Sequence, residues 1–229
     1  MFSKCLVSFA QNNNAPGVIP SLFYRGRITN RFDYNLFASA TFITAKSTVS
    51  NQGYPSPNSE VYIQPSLVYK YSRELNLSVG YTYTNGNNFR NTRETEQQVW
   101  QQVIFEHRIF KGAMLHRLRL VENLNSSISA ALNYQIAFEK PLQGRVLDNG
   151  EFYFTCFNES FVNLSSNASG VYQANWSFVG IGYKTSKAGK FEMGPLVQSA
   201  FHNETGGNNT LFLLQVLWIG DSQLFNHKR

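Results

Sequence analysis

The stretch LNLSVGYTYTNG (residues 75–86) alternates without a break. Leu75, Leu77, Val79, Tyr81 and Tyr83 take the odd positions, Asn76, Ser78, Gly80, Thr82 and Thr84 the even ones, and Asn85-Gly86 closes the run. Successive side chains of an extended strand point to opposite faces, so this segment predicts a strand with one apolar-aromatic face and one small, polar face. Asn-Gly is turn chemistry and predicts where the strand stops. A strand of a soluble sandwich buries one face and wets the other, and gives the same pattern. What separates the two readings is how often the pattern recurs and how long each run is.

It recurs along the whole chain. FDYNLFASATFIT (32–44) carries its apolar face on Phe32, Tyr34, Leu36, Ala38, Ala40 and Phe42. EVYIQPSLVYKY (60–71), SISAALNYQIAFEK (127–140) and KFEMGPLVQSAF (190–201) repeat the alternation. Less regular runs fill the intervals at 18–29, 98–110, 113–124, 150–164, 171–184 and 209–221. In VYQANWSFVGIGYK (171–184) the apolar face changes sides near Phe178, which predicts a β-bulge or a mixed interior. Soluble strands average about 5–6 residues, whereas strands that cross a membrane need about 9–11. Several of these runs are of the longer kind.

Composition points the same way. Charged residues make up 15% of the 229 residues, against roughly a quarter in ordinary soluble domains. The 19 Phe and 12 Tyr favour strands over helices. Mean hydropathy is only −0.29 and no continuous apolar run reaches helix-spanning length. A membrane barrel reconciles these facts, because each of its strands is only half apolar. The net charge of +6 is carried by singly spread Arg and Lys without a recognition motif, which argues against nucleic acid and suits an anionic surface such as lipopolysaccharide.

The expected architecture is an all-β, transmembrane, antiparallel up-and-down β-barrel of about 10–12 strands in the outer membrane of a Gram-negative bacterium. Eleven candidate runs are odd in number, and an even number is the rule, so either the 18–29 run lies outside the wall or one strand is uncounted. Short joins at 29–31, 72–74, 111–112 and 186–189 alternate with longer polar ones at 45–59, 85–95, 164–170 and 202–209, which predicts a periplasmic rim and an external rim. Residues 1–10, MFSKCLVSFA, resemble the end of a shortened secretory signal, leaving 11–229 as one barrel domain.

With the apolar face outward, the polar face lines the interior. Arg25, Arg27, Arg117, Arg119, Glu139, Glu151 and Glu159 are then the candidate lumenal network, read as ion pairs bracing a narrow barrel or as the constriction of a thin channel. Trp100, Trp176, Trp218, Tyr69, Tyr71, Tyr81, Tyr83 and Tyr183 are candidate members of the interfacial aromatic belts. Cys5 and Cys156 have no metal or disulfide spacing, so neither a metal site nor a cofactor is expected. No GxSxG, HExxH or P-loop motif occurs, and no catalytic residue is assigned. The enzyme alternative, a lipid-modifying or proteolytic barrel, would centre on His107, His116 or His202 near a rim, the last beside Ser199 or Glu204. A soluble barrel or sandwich that binds a ligand is the third alternative.

Three segments also carry a resemblance. VWQQVIFEHRIFKGAMLHRLRLVENL, NYQIAFEKPL followed by FYFTCFNESFVNL, and VGIGYK together resemble an uncharacterised family of Gram-negative outer-membrane β-barrel proteins, over roughly residues 17–221. That family tends to carry Glu where Val121 stands here, with Glu122 one position later. The resemblance implies the barrel and the membrane; the expected partners, the lipid bilayer and lipopolysaccharide with proteins of an envelope complex beside them and no nucleic acid, follow from the membrane and the basic charge. It implies no activity. The expected role is therefore structural or accessory, with narrow transport second.

Overall fold

A computed structural model describes residues 13–43, 60–86, 95–125, 129–164, 172–185, 189–202 and 207–221. The leader-like residues 1–10, Cys5, His227, Glu204, the His202 side chain and most of the longer connections lie outside the described residues. All eleven runs are strands: β1 Asn13–Arg27, β2 Phe32–Ile43, β3 Glu60–Lys70, β4 Leu75–Asn85, β5 Thr95–Ile109, β6 Gly112–Asn123, β7 Ser129–Pro141, β8 Phe152–Asn163, β9 Tyr172–Lys184, β10 Lys190–His202 and β11 Gly207–Asp221. No helix occurs among the described residues.

Each strand pairs antiparallel with its neighbour in sequence, and the sheet closes on itself. The even-number expectation is corrected at the closure. With eleven alternating strands the first and last run in the same direction, and β1 pairs with β11 in parallel from Asn13↔Asn209 to Arg25↔Asp221. The 18–29 run is thus part of the wall and leaves no open edge, the one arrangement that removes unpaired strand groups altogether. The seam puts the start of β1 and the end of β11 at opposite rims.

Three of the five joins on the rim where β11 ends are tight, at 28–31, 71–74 and 110–111, and at a fourth the Thr185 amide donates to the Gly189 carbonyl at 2.8 Å. The fifth, 142–151, is longer and folds against the rim: the Gly150 amide donates to the Lys184 carbonyl at 2.7 Å and Lys184 Nζ to the Leu147 carbonyl at 2.8 Å. In the β5–β6 turn both Phe110 (φ 49°) and Lys111 (φ 63°) are left-handed. A two-residue hairpin turn of this hand matches the twist of the strands it joins but suits Asn-Gly better than bulky residues. Replacing Phe110-Lys111 with Asn-Gly is expected to stabilise the barrel by about 1 kcal/mol, read as a higher urea midpoint.

Prolines sit inside strands here because the ladder skips them. Pairing lapses at Pro20 between β1 and β2, at Pro65 between β3 and β4, and at Pro195 between β10 and β9. Each has no N–H to contribute, so the loss to the sheet is small where its neighbour does not ask for one.

The side-chain distribution is the reverse of a soluble barrel's. Val79 is 57% exposed, Met193 55% and Val179 52%, while Arg119, Glu159 and Gln198 are at most 6% exposed. In LNLSVGYTYTNG the odd, apolar positions face out and Ser78 and Thr82 are buried inside. One sector departs from this. Ala15, Ile19, Phe178, Leu196, Leu211 and Leu213 form an apolar cluster inside the wall of β1 and β9–β11, with Phe157 and Trp176 packed against it. The change of face near Phe178 is therefore a mixed interior. Phe178 itself keeps regular register with Phe157 and Leu196, and the one irregularity of the β8–β9 pair lies at Phe161/Val162.

Candidate functional site: the barrel interior

Arg119 organises the middle of the lumen. Its guanidinium lies 4.2 Å over the Trp100 ring and its Nε donates to Gln102 Oε1 at 2.9 Å. Trp100 can lie flat because Gly80 faces it across the β4–β5 ladder, where any Cβ would meet the indole at 2.6 Å or closer. Trp100 Nε1 donates to Thr82 Oγ1 at 3.0 Å. With its carboxamide oxygen turned toward these donors, Gln64 accepts from Arg119 Nη1 at 2.9 Å and from Tyr62 at 2.9 Å. A buried cation is thus solvated by dipoles and an aromatic face, with no carboxylate in direct contact among the described residues.

The charged pairs surround this centre. Arg117 Nη2 meets Glu159 Oε1 at 2.8 Å across β7, with both side chains largely buried. Lys70 Nζ meets Asp33 Oδ1 at 2.7 Å. Toward the short-turn rim, Lys190 Nζ bonds Glu139 Oε2 at 2.6 Å and stands 5.0 Å over the Tyr153 ring. The Tyr153 hydroxyl in turn donates to Glu192 Oε1 at 2.8 Å. Tyr153 reaches across β9 only because Gly182 leaves its place empty: a Cβ there would penetrate the phenol ring. At the rim Arg25 Nη2 pairs with Asp221 Oδ2 at 3.0 Å, tying the two seam strands together. That pair is half in solvent and contributes little.

Of the seven residues expected in the lumen, Arg117, Arg119, Glu139 and Glu159 sit inside and make these contacts. Arg25 and Arg27 face the interior side at the end of β1 but are exposed at the rim. Glu151 is a correction: it precedes β8, and its carboxylate accepts from the Asp148 amide at 2.9 Å in the rim loop. Asp33, Lys70, Tyr153, Lys190 and Glu192 were missed, although Lys70 lies on the polar face of its run and Lys190 and Glu192 alternate with Phe191 and Met193.

The aromatic belt also needs correction. Trp100, 5% exposed, points inward, and so does Trp176, which shares a face with Phe178. Tyr69, Tyr183 and Trp218 lie on the outward face of strand ends near the short-turn rim, Tyr71 in the turn beside them, and Tyr81 and Tyr83 on the outward face toward the other rim. A tryptophan on a polar face reads as amphipathic in sequence; the partner glycine on the next strand is what turns it into a core residue.

His107 and His116 lie on the outer wall, ring planes within 4° and centroids 5.3 Å apart, and His116 Nδ1 is 2.8 Å from the Tyr134 hydroxyl. This is an aromatic stack and places neither imidazole in the lumen.

The comparisons with known proteins now bear on this interior. A family described as a protein of unknown function, DUF2490, matches residues 20–209. The chain belongs to the DUF2490 family. The DUF2490 match runs from inside β1 to the start of β11, so every lumenal contact described above except Arg25–Asp221 lies between strands that fall largely within it. No curated protein and no solved structure matches the chain. At the position where the sequence departs from the resemblance, Val121 is buried facing inward and Glu122 is exposed. The carboxylates of the lumenal contacts described above come from β2, β7, β8 and β10, and neither 121 nor 122 supplies one of them.

Proposed function

We propose that the protein is an integral outer-membrane β-barrel with a structural or accessory role, its lumen filled by its own side chains. The single observation that supports this most is the inverted wall: large aliphatic and aromatic side chains outward, carboxylates, guanidiniums and carboxamides inward. In water such a surface would be an aggregation liability. Against hydrocarbon it is what an outward band requires.

The interior argues for bracing over passage. A barrel of this size leaves space that side chains can fill, and here the Arg119–Trp100–Gln102 group and the Arg117–Glu159 pair line one side of the lumen while the apolar cluster around Phe178 lines another. The protein's partners are then the bilayer, lipopolysaccharide and neighbouring envelope proteins, and its role is not catalytic.

The test begins with expression in a Gram-negative host behind an intact signal peptide. The expected result is an outer-membrane protein that migrates faster on a gel unboiled than boiled and shows no discrete conductance in a planar bilayer. Stepwise conductance would replace bracing by a narrow channel. A water-soluble protein without a heat shift would remove the membrane reading altogether.

A further inference from the structure

The outward face is apolar on most strands, and its array of mutually bonded polar side chains lies on β8 and β9. On β8 the outward residues run Phe152, Phe154, Cys156 and then Asn158 and Ser160; on β9 they run Tyr183, Ile181, Val179 and then Ser177 and Asn175. These four polar side chains bond to one another. Asn158 Nδ2 donates to Asn175 Oδ1 at 2.9 Å and to Ser177 Oγ at 2.8 Å, and Asn175 Nδ2 donates to Ser160 Oγ at 3.2 Å. The row continues: Ser160 pairs in register with Asn175, Asn175 with Ser199, and Ser199 with Thr210, whose hydroxyl lies 3.3 Å from that of Ser199. A strip of hydroxyls and carboxamides about 10–15 Å wide thus crosses β8–β10 and ends against the buried Thr210 of β11.

On two strands apolar side chains separate the strip from the rim of the longer connections: along β8 it is bracketed by Cys156 and Val162, and along β10 by Val197 and Phe201, while on β9 the exposed Gln173 lies between Asn175 and the start of the strand. Gln97, Gln101 and Glu122 on β5 and β6 also face out, but Val99 and Leu120 stand between them and they form no comparable array. Behind the strip the interior is aromatic, with Phe157 and Phe178 stacked at 5.4 Å and Phe161 and Trp176 at 4.8 Å. Over 157–161 of β8 and 175–178 of β9 aromatic side chains face in and Asn and Ser face out, with Glu159 still inward between Phe157 and Phe161.

Resting on the membrane reading, we propose that this strip is where two copies of the chain pack wall to wall in the bilayer. Its chemistry selects that occupant. The strip carries no ionisable group, so a charged headgroup or a charged partner segment finds no counterpart on it. Asn, Ser and Thr each donate and accept, so a row of them complements a second copy of itself. The side chains on and beside it are small, which lets two walls approach, and polar contacts between such surfaces replace no water in lipid. A two-fold pair, in which one patch meets the same patch, is the commonest closed assembly.

The experiment uses the full chain inserted in outer membranes and a disulfide as reporter. Ser160→Cys in a Cys5→Ser, Cys156→Ser background, and separately native Cys156 in a Cys5→Ser background, are oxidised with copper phenanthroline; Val79→Cys on the distant β4 wall, in the same background as Ser160→Cys, is the control. The expected result is a band at twice the chain's mass for the Ser160→Cys protein and for the protein retaining Cys156, and none for Val79→Cys. Adding Asn158→Leu with Asn175→Leu should lower the dimer fraction about tenfold. Equal cross-linking at all three sites means random collision and overturns the proposal, as does a band of another mass, which would be a different partner. Monomer throughout, from protein that still shows the heat shift, overturns the dimer and leaves the membrane reading intact. Loss of membrane residence and heat shift would remove both.

Discussion

Glu159→Ala is expected to destabilise the folded barrel by about 3–5 kcal/mol, because it leaves a guanidinium buried without its counter-ion. Glu159 is 5% exposed as a residue and Arg117 is its ion-pair partner at 2.8 Å. Arg117 Nε has no hydrogen-bond partner among the described residues, so the carboxylate is the main compensation for that charge. The check is a urea unfolding curve of protein refolded into lipid vesicles, followed by tryptophan fluorescence, with the slope unchanged and the midpoint lowered. Replacing both partners, Arg117→Leu with Glu159→Leu, should recover much of the loss, since hydrocarbon of similar volume removes the buried charge altogether. If the double variant is as unstable as the single one, the pair is not the coupled unit described here.

On the proposed membrane reading, Val79→Arg on the other face of the same wall is expected to cost about 2–4 kcal/mol, the penalty for a cation at the depth of hydrocarbon. Val79 is 57% exposed, in the middle of β4 between Leu77 and Tyr81. At a site this open in water the same substitution would fall within about 0.5 kcal/mol of zero. Tyr71→Arg, in the turn at 68% exposure, serves as the reference, with an expected cost of about 0–1 kcal/mol. Equal midpoints for Val79→Arg and the parent protein would mean that the outer face is bathed in water.

The strands were legible because alternation is local. Residues 75–86 announce a strand and its end from their own order, and β4 ends at Asn85. The same holds at β2, where the run from Phe32 matches the strand to within a residue. The partners of the polar side chains were not legible in this way. Arg117 and Glu159 stand on strands separated by β7 and by 42 positions in sequence, and nothing near either residue names the other. Trp100 shows the same limit from a different side. Its place on the polar face of β5, beside Gln98 and Gln102, was visible, yet an amphipathic indole on such a face suits a membrane interface equally well. Gly80 on the neighbouring strand and Arg119 on the next one decide between the two.

By itself the sequence determined that this protein is built of long amphipathic strands, which segments they are, and which side chains share a face, because a strand's period of two is a property of the backbone. Only the tertiary structure decided that eleven of them close, through a parallel seam between β1 and β11, and that the polar faces point inward around Arg119. It also decided that one part of β8 and β9 departs from this order, with Asn158 and Asn175 outside and Phe157 and Phe178 within. Closure, lumenal pairing and this sector all depend on register between strands far apart in the chain, and register is a relation that no single segment carries.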